Sequence, residues 1–192
     1  MADLDYAHSD MPVVLTDDAT GNLAGIRIDG SLDVSPTLIG RVKEKGLYGV
    51  AIDVVAATGN TDNPVLLLRN PNGSGKTLYI YLVSGNTTIT NVSVEFKVFA
   101  DPTVTANGTS QTSQSRYVGG GAGTAVGLVT TLPTVTSNGA ALATSTTGQN
   151  SSDVDIVNDF SIAIAPNHSI LITASPSSNN RNVAIELSWL EA

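Results

Sequence analysis

A two-residue apolar period is the feature that most limits how this chain can fold. Between Asn182 and Leu190, Val183, Ile185, Leu187 and Trp189 take alternate positions, with Glu186 and Ser188 facing away. Val92, Val94, Phe96 and Val98 repeat the pattern against Ser93, Glu95, Lys97 and Phe99. Successive side chains of a strand point to opposite faces, so this spacing gathers the apolar residues on one side. That is the pattern of a half-buried antiparallel strand. Leu47–Ala57, Asp153–Ala165 and His168–Ala174 read as further strands. About eight strands with turn-rich links predict an all-β chain, an antiparallel β-sandwich.

The stretch Asn63–Val83 sits at the centre of this reading. Val65–Leu68 is a run of aliphatics, and Leu78–Val83 is a second run rich in tyrosine. The loop between them, Asn70-Pro71-Asn72-Gly73-Ser74-Gly75, is dense in turn formers, so the stretch predicts a β-hairpin near the middle of a sheet. Gly73-Ser74-Gly75-Lys76-Thr77 imitates the end of a phosphate-binding loop, but position 70 is Asn70 rather than glycine. A β-type run follows where the phosphate site needs a helix. Lys76 is therefore read as a solvated lysine in a hairpin loop.

Charge divides the chain unevenly. Residues 1–33 hold seven aspartates and one basic residue, Arg27, which places −6 of the net −8 there. An acidic chain repels phosphate backbones, so no nucleic-acid partner is expected. The acidic N-terminus lacks the apolar core of a secretion leader, and no apolar run is long enough to span a membrane as a helix. There are no cysteines, hence no disulfides or thiol chemistry.

Residues 1–34 read as an extended N-terminal arm: short strand-like pieces with too little apolar bulk for their own core. Val13, Val14, Leu15, Leu23, Ile26, Ile28, Leu32 and Val34 are its candidate interface residues. The body is expected over 35–192. Ser35–Gly46 could hold a short helix or turn, with Ser35 as cap and Gly46 as stop, and its Arg41, Lys43 and Lys45 read as solvated. Residues 101–152 carry only Asp101 and Arg116 as charges, with eight of the eighteen glycines. Their β-prone pieces, Val126–Leu132 and Pro133–Thr136, point to an excursion with short strands of its own, packed on the body or on a neighbouring copy.

No constellation for catalysis is evident. His8 and His168 are the two histidines, and nothing in the sequence brings either to a nucleophile and an acid. Asp153, Asp155 and Asp159 lack the spacing of a calcium loop, so they read as solvated acids and no metal or cofactor is expected. The chain is read as a non-enzyme.

Two stretches resemble a known group of proteins. TDDATGNLAGIRIDGSLDV, from Thr16 to Val34, resembles short arms with the pattern DxxxGxxAxIDxxGxLxV near the start of virion proteins of tailed bacteriophages. NPNGSGKTLYIYLV, then a strand, a Gly/Ser/Thr-rich middle, and NHSILITASPSSNNRNVAIELSWLE is similar in order to phage capsid decoration (cement) proteins. The resemblance implies a jelly-roll-like sandwich without catalysis. It further implies a homotrimer on the capsid exterior, assembled in the host cytoplasm and clamping the major capsid protein. The alternative is a tail fibre or spike component that binds a receptor or glycan.

Overall fold

A computed structural model describes residues 46–87, 91–116, 124–148 and 153–192, with the backbone of strands within 14–36. The chain divides into two compact units, residues 1–44 and 45–192. The first contains β1 (Val14–Thr16), β2 (Asn22–Ile26) and β3 (Leu32–Pro36), paired as an antiparallel meander in the order β1-β2-β3. Thus the segment read as an extended arm holds a small sheet of its own. Val13, Ile28 and residues 37–45, where a short helix or turn was expected, lie outside the described residues.

The second unit is all-β, two large antiparallel sheets packed face to face. Its long strands are β4 (Leu47–Ala56), β5 (Asn63–Arg69), β6 (Leu78–Asn86), β7 (Val94–Ala100), β13 (Ala140–Thr146), β14 (Val154–Ile164), β15 (Ser169–Pro176) and β16 (Arg181–Glu191). The short ones are β8 (Thr103–Ala106), β9 (Thr109–Gln111), β10 (Gln114–Ser115), β11 (Leu128–Thr131) and β12 (Thr134–Ser137). One sheet runs β10-β4-β16-β6-β14, and the other β13-β7-β15-β5-β11-β9.

The chain changes sheet at nearly every step between the long strands. β4 is in the five-stranded sheet, β5 in the six-stranded, β6 in the five-stranded and β7 in the six-stranded. The expected hairpin over Asn63–Val83 is therefore absent: β5 and β6 lie in different sheets. The reason lies in their burial patterns. Val65–Leu68 in β5 are all fully buried, which requires cover on both faces of the strand. β6 alternates buried and half-buried positions, as a strand covered on one face does. The linker 70–77 crosses between the sheets, which lie about 10 Å apart in such sandwiches. Asn70 fixes this crossing, donating from Nδ2 to the carbonyls of Lys76 (2.8 Å) and Ile164 (2.9 Å).

The core between the sheets is built from the periodic positions. Val183, Ile185, Leu187 and Trp189 of β16 meet Val94, Phe96 and Val98 of β7, together with Leu66 and Leu68 of β5. Ser188, on the opposite face of β16, is nevertheless buried, because the Arg116 side chain lies over it.

The excursion 101–152 contributes to both sheets and adds a third layer. β9, β11 and β13 join the six-stranded sheet, and β10 pairs with β4. β8 and β12 form a separate two-stranded ribbon. Its Val104 and Val135 pack on Leu67, Phe99 and Leu171, which point out of the six-stranded sheet. This second, smaller core explains why β5 is apolar on both faces. Gly139, at φ +90°, turns the chain from β12 into β13, where a Cβ would meet the Ala100 carbonyl oxygen.

Candidate interaction surfaces

The candidate interface residues of the first unit sit at defined register positions. Val14 and Leu15 oppose Gly25 and Ala24 across the β1–β2 pair. Leu23 opposes Ser35, Ala24 opposes Val34, and Ile26 opposes Leu32 across β2–β3. The meander thus brings Leu15, Ala24 and Val34 into one row across three strands.

On the body, most described cations have an acidic partner. Lys97 bridges Asp62 (3.1 Å) and Glu95 (2.9 Å), and hydrogen bonds first to Glu95 and then to Asp62 hold its ammonium above the ordinary lysine range. Arg116 pairs with Glu186 and donates to Ser188 Oγ at 3.1 Å. It lies directly over Gly49, where any side chain would collide with the guanidinium. Lys76 is not the solvated lysine expected of a hairpin loop: its Nζ is 3.3 Å from Glu191 Oε2, a fully buried carboxylate. Arg69 has no acidic partner among the described residues.

Glu191 is the most heavily used acid in the body. Its Oε1 accepts from the backbone amides of Val126 (2.8 Å) and Gly127 (3.0 Å) and from Trp189 Nε1 (3.1 Å). This single carboxylate ties the chain leading into β11 to the end of β16. Tyr48 packs near Trp189, with ring centroids 6.2 Å apart, and burial, then the Glu191 charge, push its phenol up.

His168 does acquire a carboxylate partner. Its Nδ1 lies 2.9 Å from Asp101 Oδ2, and Asp101 Oδ1 accepts from the Ser169 amide at 3.1 Å. The His168 bond holds the Asp101 carboxyl below its ordinary value; burial works against this, and the Ser169 amide reinforces it. Both side chains are 55% exposed, which is far from the water-excluded setting of a catalytic dyad. Sequence reasoning missed this pair because the two residues come from different connections, one after β7 and one before β15.

Among the described residues, no three His, Asp or Glu side chains converge as a metal site. The Asp153 carboxylate takes a hydrogen bond from Asn86 Nδ2 instead. Among the described residues, Val55, Leu128, Leu132 and Leu142 are the exposed large aliphatics, each about half accessible and spread over several elements. No described helix is long and apolar enough to cross a membrane.

No family model matches the sequence, and no curated protein is significantly similar to it. Among solved structures, the crystal structure of infectious bursal disease virus VP2 subviral particle is matched at 9% identity and a TM-score of 0.13. The match covers 90% of this chain and 46% of that one, so this chain spans less than half its length, and a likeness of this size carries no argument.

Proposed function

We propose that this chain is a non-enzymatic virion structural protein, a decoration or cement protein of a phage capsid. In this reading it forms a homotrimer on the head exterior and stabilises the lattice through contacts with the major capsid protein. The supporting observation is strand order. β4-β16-β6-β14 faces β5-β15-β7-β13, and only the step from β7 to β13 stays within one sheet. We read this as a jelly roll, an architecture used by viral shells and by lectins. The acidic first unit, with its row of Leu15, Ala24 and Val34 positions, is the natural docking element.

The test is to mix the purified chain with undecorated phage heads and image the particles by electron microscopy. Hundreds of copies in a regular lattice are expected, with occupancy lost when residues 1–34 are deleted. Absence from the shell, or a handful of copies at the tail, would overturn the reading. Raising salt should weaken attachment in so far as the acidic unit docks by charge.

A further inference from the structure

One end of the sandwich holds a cleft that the structural role leaves unused. Three strands and one turn supply a row of neighbours there. Arg69, the last residue of β5, is in register with Leu128 of β11 on one side and Ser169 of β15 on the other. Beyond Ser169 comes Asp101, whose amide donates to the Ser169 carbonyl at 2.9 Å. Two residues further along each strand, on the same face, Leu67, Leu171 and Phe99 are covered by Val104 and Val135 of the β8–β12 ribbon. The Arg69 row instead opens on a cleft of about 290 Å³ walled by Asn70–Asn72 and by Asn167–Ser169.

The chemistry of this cleft is unbalanced. Arg69 is half-buried, has no acidic partner among the described residues, and its Nε is covered without a hydrogen-bond acceptor. Asn70 is 1% exposed and its Oδ1 has no donor. Its amide cannot be turned to cure this, because Nδ2 already faces the Lys76 and Ile164 carbonyls. Asp101, the nearby carboxylate, is engaged by His168 and by the Ser169 amide. A guanidinium with no counter-ion selects a carboxylate, which fits its planar fork. Asn72 and Asn167 add exposed amides that give and accept hydrogen bonds, while Leu128 and Pro71 offer apolar surface to a ring face.

The two walls are fixed to each other before any ligand arrives. The Asn70 amide donates to the His168 carbonyl at 2.9 Å, and the Asn167 amide donates to the Asn70 carbonyl at 2.9 Å. A site held this way loses little freedom on binding. Its volume is at the lower limit of small-molecule sites, roughly 300–1,000 Å³, which suits one sugar ring.

We propose that the cleft at the end of β5 binds an acidic sugar, with the ligand's carboxylate on Arg69 and its hydroxyls on the exposed Asn72 and Asn167 side-chain amides. The full-length chain, labelled with ¹⁵N, is titrated with D-glucuronate while amide and Arg69 side-chain resonances are followed. D-Glucose supplies the ring without the acid, and acetate the acid without the ring. Saturable shifts at Arg69, Asn72, Asn167 and His168 are expected with a Kd of about 1 mM, and binding about tenfold weaker for either control. Arg69→Gln should weaken glucuronate binding about tenfold, and Asn72→Ala, in an exposed loop that should tolerate the change, about threefold. No saturable shift up to about 50 mM glucuronate would overturn the site. Equal binding of acetate or of glucose would overturn the acidic-sugar assignment. If Arg69→Gln does not fold, unchanged binding by Asn72→Ala overturns it.

Discussion

Trp189 Nε1 donates to Glu191 Oε1 at 3.1 Å, and both side chains are fully buried on the same face of β16. The carboxylate shares that oxygen with two backbone amides and its other oxygen with Lys76. Removing it would strand three donors in the interior. Glu191→Ala is expected to cost about 3–5 kcal/mol, because each stranded buried donor costs about 1–3 kcal/mol. Glu191→Gln keeps one acceptor and should cost less, about 1.5–3 kcal/mol. Urea unfolding measures both, and faster hydrogen exchange at Val126 and Gly127 should accompany the alanine variant.

The outer core predicts a second effect. Leu171 is fully buried between Leu67, Phe99 and the β8–β12 ribbon, on the face of the sheet turned away from the main core. Leu171→Ala should destabilise the body by about 2–5 kcal/mol. Val135→Asp should instead loosen the ribbon and leave the two main sheets paired. Exchange of β8 and β12 amides that outpaces that of β15 would distinguish local detachment from global loss.

Gly85 faces the Phe96 ring across the main core. A Cβ there would sit 2.7–2.8 Å from three ring carbons. Gly85→Ala should therefore cost about 1–3 kcal/mol by overpacking. Phe96→Leu alone is also destabilising, but the double variant should be more stable than the sum of the two single effects implies, because the smaller side chain makes room for the methyl group. Thermal or urea unfolding of the four proteins completes the cycle.

The Asp101–His168 pair predicts a pH effect with a definite sign. The folded protein holds the Asp101 carboxyl below its ordinary value of 3.8. Its contribution is thus complete above the unfolded value and is lost as pH falls through the lowered folded one. Wild-type stability should drop more steeply below about pH 3.8 than that of Asp101→Asn. Because both side chains are half exposed, the difference should also shrink at high salt. Parallel curves for the two proteins across that acid range would contradict the assignment.

Strands were legible where one face is wet. In β7 and β16 the alternation of Val94, Phe96 and Val98, and of Val183, Ile185, Leu187 and Trp189, reads directly as an inner face. The pairing of β5 was not legible, because consecutive apolar runs around a turn-rich loop suit a hairpin as well as a crossing between sheets. The four adjacent aliphatics Val65–Leu68 did carry a signal, two-sided burial, but the ribbon that supplies the second cover lies some forty to seventy residues away. Polar partnerships were hidden for the same reason. Glu191 looks like a surface acid near the end of the sequence, and Asp101 like a turn residue, until the fold brings Val126 and His168 to them.

β16 lies between β4 and β6 in the five-stranded sheet, pairing with both along most of its length. A strand made after both of its neighbours is therefore the keystone of that sheet. Until Arg181–Glu191 has been synthesised, β4 and β6 lack the strand between them and present bare edges that can pair with other chains. Translation that stalls or terminates in the Ser177–Asn180 turn should accordingly yield insoluble product rather than a shortened but folded body.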